Sequence, residues 1–154
     1  MSASDRATNM VVGIMTVDPR YDEDLDHEGY VEACLPPDAT PEELSRPRAV
    51  ILVLDSRCPP PSAKWRKKIA DLRNDQPYAH YGFALITKSA VLRGVLTAIN
   101  WISRASPRFD TAPFATFDEG AMWLERHWKH SAPVLNKLYQ KARSQLSPSA
   151  LANL

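Results

Sequence analysis

The sequence predicts an α/β domain built on a largely parallel sheet, and three observations carry that prediction. Residues 49–56, 81–87 and 113–117 are apolar, strand-like runs, and each leads into a stretch with helical spacing of apolar side chains. Such alternation marks strand–helix–strand crossover units. Ala49-Val-Ile-Leu-Val-Leu54 is apolar throughout, the composition of a strand covered on both faces at the centre of a sheet. Thr40-Pro-Glu-Glu43 and Thr116-Phe-Asp-Glu119 have the form of capping boxes, which fix two helix starts.

In chain order, residues 1–9 are polar and read as disordered. Met10-Val-Val-Gly-Ile-Met-Thr-Val17 reads as a first strand that stops at Asp18-Pro19. An acidic loop comes next, and the partial alternation of Tyr30-Val-Glu-Ala-Cys-Leu35 predicts a second strand, antiparallel to the first. The helix begun at Thr40 is short, because Pro47 ends it. After the central strand, Cys58-Pro-Pro-Pro-Ser62 stiffens the connection, and Ser62 caps a helix whose Trp65, Ile69 and Leu72 form a core stripe. Lys64, Arg66, Lys67, Lys68 and Arg73 fall mostly on its other faces.

Ser89 caps a helix over residues 89–102 that is apolar around much of its circumference, with Val91, Leu92, Val95, Leu96, Ala98, Ile99 and Ile102. Thr116 starts the next helix and Pro133 breaks or kinks the chain beyond it. Val134, Leu135, Leu138, Tyr139, Ala142 and Leu146 stripe a last helix. Residues 10–129 thus form the α/β domain, 130–146 an amphipathic C-terminal helix and 147–154 a flexible tail.

Composition narrows the function classes. A chain of 154 residues, 44% hydrophobic and 24% charged, makes one globular domain with a real core. No apolar run approaches the roughly 20 residues that span a bilayer, and the first residues lack the build of a signal peptide, so a cytoplasmic protein is expected. The net charge of +1 hides an asymmetry. Ten acidic residues lie between Asp18 and Glu43, against Arg20 alone, while Arg126, Lys129, Lys137, Lys141 and Arg143 come after the last acidic residue, Glu125. A pI near 7.8 argues against nucleic-acid binding.

Phe83-Ala-Leu-Ile-Thr-Lys-Ser-Ala-Val-Leu-Arg-Gly-Val-Leu-Thr-Ala-Ile-Asn-Trp101 and Phe114-Ala-Thr-Phe-Asp-Glu-Gly-Ala-Met-Trp-Leu124, with the Val50–Asp55 strand before them, resemble the bacterial SpoIIAA-like proteins of the STAS and Sec14-type superfamily. The resemblance covers about half of the chain. It implies a mixed four- or five-stranded sheet with helices packed mainly on one face, and a regulatory or scaffolding role without catalysis. The phosphorylatable Asp-Ser-Ser-Gly turn of the antagonist members is replaced here by Asp55-Ser-Arg-Cys-Pro-Pro-Pro-Ser62, which leaves Ser56 and Ser62 as the possible switch residues.

Other motifs carry less. Asp22, Asp24, Asp26 and Glu28 alternate like calcium ligands, but His27 and Ala33 stand where an EF-hand needs Gly and Glu. His127 and His130 lack a third ligand nearby, so no metal or other cofactor is expected. There is no phosphate loop or nucleophile elbow. Cys34 and Cys58 read as buried apolar residues, with Cys58 the one conceivable nucleophile beside Arg57. Trp65, Trp101 and Trp123 read as core, whereas Trp128, among Arg126, His127, Lys129 and His130, reads as an interface anchor. The expected function is a non-catalytic protein-interaction module whose contact residues are Trp128, Leu135, Leu138, Tyr139 and Lys141, serving a homodimer or a protein partner. The alternative is a Sec14-like domain holding a small apolar ligand or lipid.

Overall fold

Strands β2 (Met10–Met15), β3 (Arg48–Leu54), β4 (Tyr81–Ile86) and β5 (Phe109–Phe114) run parallel in chain order, and β1 (Ser2–Asp5) adds an antiparallel edge beside β2. They belong to a computed structural model that describes residues 1–17, 21–102 and 108–154. The fold is therefore α/β with a five-stranded mixed sheet. Among the described residues the helices are α1 (Glu23–Cys34), α2 (Pro41–Ser45), α3 (Ala63–Asp75), α4 (Ala90–Ile102), α5 (Phe117–His127), α6 (Ser131–Arg143) and α7 (Pro148–Leu151). None is long and apolar enough to cross a membrane. The strand stop at Asp18-Pro19 and Arg20 lie outside the described residues, as do the side chains of Arg73, Ile99, Trp101 and Ile102.

The topology decides which helix covers which face. Successive parallel strands that advance in one direction through right-handed crossovers place every connecting helix on the same face. That face carries Val11 and Met15, then Val50 and Leu52, then Tyr81, Phe83 and Leu85, and it meets Cys34 of α1 and Leu92 and Leu96 of α4. The other face, with Val12, Ile14, Ile51, Val53, Ala84 and Ile86, is left for the helices after β5. There α5 supplies Phe117, Ala121 and Leu124, and α6 supplies Leu135, Leu138 and Ala142. Both faces are thus covered, so the expectation of helices mainly on one face describes only the closest packing, that of α5 and α6.

Several elements differ from the sequence reading. Residues 1–9 are not disordered: Ser2–Asp5 pairs with β2 from Ser2↔Gly13 to Asp5↔Met10, and the terminal ammonium donates to the Ile14 carbonyl at 2.8 Å. The antiparallel partner expected at Tyr30–Leu35 is instead the last part of α1. Asp22 caps that helix, accepting from the N–H groups of Asp24 and Leu25 at 3.0 Å. Glu23, Asp24 and Asp26 fill its first turn, where negative charge meets the positive end of the helix dipole. The acidic run is therefore a helix start rather than a loop. The third strand–helix boundary moves as well. β5 begins at Phe109 and ends at Phe114, because Thr116 is already the N-cap of α5. The tail does not fray, since Ser147 caps α7, Leu154 packs against the core and the Ser56 N–H donates to the Asn153 carbonyl at 3.4 Å.

Both capping boxes form, with Thr40–Glu43 and Thr116–Glu119 bonded reciprocally, and Ser62 caps α3 as read. The acidic α1 is answered by α3 rather than by the basic C-terminus. Lys64 pairs with Asp24 at 2.9 Å, and Lys68 approaches Glu28 at 3.9 Å.

Candidate ligand cavity

Three connecting helices on one face must cover the sheet between them, and they do not close completely. An apolar cavity of about 120 Å³ lies between that face and α1, α3 and α4. Its floor is Leu52, Leu54, Tyr81, Phe83 and Leu85 of the two central strands, with Phe109 and Thr111 of β5. Side chains two residues apart along a strand point to one side, which is why the register Leu52↔Leu85 and Phe83↔Thr111 gathers them.

His27, Tyr30, Val31 and Cys34 of α1, Ile69 and Leu72 of α3, and Leu92, Val95 and Leu96 of α4 form the roof. Tyr21, Cys58, Pro59 and Pro61 close the end above the carboxyl ends of the strands.

Aromatic contacts hold this wall in place. Tyr30 meets Phe83 edge-on at 6.1 Å between centroids, and Tyr81 stacks on Phe109 at 5.0 Å. Behind the roof, the fully buried Trp65 lies 4.9 Å from the His27 ring and donates its indole N–H to Asp24 at 2.6 Å. His27 directs Nδ1 to the Glu23 carbonyl at 2.8 Å. A carbonyl only accepts, so Nδ1 carries a proton and donates it. Arg48, buried behind Tyr78, donates to the Ala33 carbonyl at 2.8 Å and so ties down the last turn of α1.

Among the described residues no Asp, Glu, Lys or Arg lines it. Burial pushes the Cys34 thiol up to about 11 and the Cys58 thiol up to about 12, and it raises Tyr21 to about 12. Burial likewise holds Tyr30 and Tyr81 in the phenol form. A thiol nucleophile needs the opposite environment, one that stabilises the thiolate. Cys58 as a nucleophile therefore has no support in the geometry, and its Sγ donates to the Met15 carbonyl at 3.8 Å. Two hydroxyls of the wall, those of Tyr21 and Thr111, are buried without a hydrogen-bond partner among the described residues. Sequence reading offered an apolar ligand only as the alternative and did not assemble this site, because its residues come from seven separate elements.

The residues expected to contact a partner sit elsewhere and are mostly occupied. Leu135 and Leu138 are buried against the sheet, and Tyr139 stacks on Phe117 with centroids 4.0 Å apart. Trp128 is the half-buried C-cap of α5, packed over Gly82 and 5.3 Å from His80. Lys141 alone is exposed. The physical reason is the topology: the connecting helices lie on the opposite face and leave this one to α5 and α6.

Ser56 is exposed in the turn after β3, next to Asp55, which is fully buried. Burial alone would raise the Asp55 carboxyl, but Arg57, bonded to it at 2.6 Å, holds it below its ordinary value. Ser62 is committed as a cap, and its N–H donates to Glu23 at 2.7 Å. The carboxylates of the calcium-like run go to separate partners: Asp22 to the helix cap, Asp24 to Lys64 and Trp65, and Asp26 to the Asp22 N–H.

The fold and cavity define a singly wound α/β protein with a half-open apolar pocket under its connecting helices. Compared with protein-family models, curated proteins and solved structures, the chain matches none of them.

Proposed function

We propose that this chain is a cytoplasmic binding domain for a small apolar molecule, held between the sheet and α1, α3 and α4. The cavity carries this reading. Protein interiors are packed to crystal density, and voids much larger than a water molecule are few. A half-open pocket of about 120 Å³ walled by Leu, Phe and Tyr has a volume and lining of the order of apolar cavities that take up benzene or xenon. The resemblance to SpoIIAA-like, Sec14-type proteins belongs to the same proposal, as does the absence of catalysis. It is supported by the strand–helix alternation and by thiols that burial keeps protonated. A protein-interaction role would have to use the exposed basic side of α6 at Lys137 and Lys141, since Leu135, Leu138 and Tyr139 face inward.

Titration of the full chain with benzene, monitored through the methyl resonances of Leu52, Leu85, Val95 and Leu96, tests the reading. Saturable shifts confined to these methyls are expected. Shifts that do not saturate, or that fall equally on Leu135 and Leu138 across the sheet, would overturn it.

A further inference from the structure

We infer that a second copy of this chain docks on the outer side of α5, the two helices antiparallel across a two-fold axis between Met122 and Trp123. The contact is separate from the cavity, which lies on the opposite face of the sheet. It also leaves the exposed basic side of α6 free for an unlike partner.

Phe117, Gly120, Ala121 and Leu124 bury one side of α5. At about 100° per residue, the side turned away from them carries Glu119, Met122 and Arg126. All three are exposed, Met122 to 63%. Next to Met122 the Trp123 ring is partly exposed and leans on Phe114, with centroids 5.6 Å apart. The result is an apolar centre with a charge at either end. Methionine, tryptophan and arginine are also the residues that protein interfaces gather.

The charges select the occupant. Asp118 and Glu119 stand in the first turn of α5, and Arg126 and His127 in its last. Glu125, the one acid in the second half, is turned to α6, where it accepts from the Ala132 N–H at 3.1 Å. Glu119 and Arg126 are seven positions apart, about 10 Å along the axis. In an antiparallel pair centred between Met122 and Trp123, position 119 lies level with position 126 of the copy, and 122 with 123. Each Glu119 then meets an Arg126, and the methionines and tryptophans close the centre, where sulfur–aromatic contact is favourable. An isologous contact needs a patch complementary to itself, and this one is. Arg126 is bonded to no carboxylate among the described residues. Glu119 uses Oε2 for the Ala115 and Thr116 N–H groups, which leaves Oε1 for a cation. End charges of this kind also suit the dipole of the helix itself, but the dipole gives no reason for the exposed methionine between them. The neighbouring sheet edge, β5, contains Pro113, which lacks a donor for strand pairing, so helices make the contact rather than strands. Trp123 places that contact toward β5, which keeps Lys137 and Lys141 of α6 clear of their copies.

Sedimentation equilibrium of the full chain tests this. One helix pair buries less than a standard interface, so a reversible dimer is expected between micromolar and millimolar concentration. Met122→Glu brings two carboxylates together at the axis, and Arg126→Glu sets acid against acid at both ends. Each is expected to weaken the dimer about tenfold. Both positions are exposed, so circular dichroism should show the fold intact. Glu119→Arg sets base against base and should weaken the dimer likewise. Mixed in equal amounts, Arg126→Glu and Glu119→Arg should associate with each other, because the antiparallel register again sets acid against base at both ends. A wild-type chain that stays monomeric at millimolar concentration would overturn the proposal, whether the face meets an unlike protein or nothing. So would a dimer indifferent to Met122→Glu and Arg126→Glu. Reversal variants that fold but do not associate on mixing would rule out the antiparallel register and the proposal with it. If Glu119→Arg loses its capping box and does not fold, Met122→Glu and Arg126→Glu decide.

Discussion

The indole of Trp128 lies over Gly82, in the space that a β-carbon at position 82 would need. The contact brings the C-cap of α5 down onto the start of β4, and the Leu124 side chain borders the same gap. Gly82→Ala forces a rigid ring aside and is expected to cost about 1–3 kcal/mol, the usual penalty of overpacking. Urea denaturation measures it. Trp128→Leu should be milder in the Gly82→Ala background than in the wild type, and equal costs in both backgrounds would contradict the contact.

Leu135 separates a core role from a partner role for α6. It is fully buried against the sheet, so Leu135→Ala is expected to cost about 2–5 kcal/mol. Sedimentation of that variant should show the same oligomeric state as the wild type. Truncation after Lys129 strips one face of β2 and is expected to unfold the chain, which circular dichroism would show as a lost thermal transition. A truncated chain that stays folded and merely changes its association would return α6 to the role of a docking element.

Acid should destabilise the protein in a defined window. The Glu43 carboxylate accepts from Arg6 at 2.6 and 2.7 Å and from the Thr40 N–H at 2.7 Å, and the Arg6 bonds foremost hold it down to about 2. A depressed folded value means that the unfolded chain takes up the proton first. This contribution is therefore full above about pH 4.5 and is lost as the pH falls through about 2. Asp55, also lowered, acts in the same direction. Urea midpoints at about pH 5 and about pH 2.5 should differ, and Glu43→Gln should shrink that difference while lowering the midpoint at the higher pH. An undiminished difference would show that Glu43 is not responsible.

Both cysteines should behave as inert core residues. With Cys34 and Cys58 buried and their thiols raised to about 11 and about 12, an aromatic disulfide reagent at about pH 8 is expected to label neither in the native protein. It should label both promptly in denaturant. Fast native labelling of Cys58 would reopen its candidacy as a nucleophile.

Local chemistry is legible in the sequence and distant geometry is not. The capping boxes at Thr40 and Thr116 and the cap at Ser62 each involve residues three positions apart, so short-range pattern suffices to find them. Tyr30–Leu35 reads wrongly as a strand because its apolar residues satisfy both a partial alternation and the inner side of a helix. Only the cap at Asp22, eight positions earlier, decides between them. β1 is invisible for another reason. Ser2-Ala-Ser-Asp5 pairs through its backbone and buries only Ala3, so its side chains hold almost no strand signal.

Taken by itself, the sequence determined the α/β class, the central position of β3, the starts of α2, α3 and α5 and a core rich in aliphatic residues. Those properties arise from local propensity and apolar periodicity, which act over a few residues. Tertiary structure alone decided that α6 would be core rather than contact surface, because the handedness of three crossovers left one face of the sheet open to it. It also decided that a cavity exists. A void is the volume left over when Leu52, Phe83, Tyr30, Ile69, Leu96 and their neighbours meet from separate elements, and no local pattern encodes a remainder.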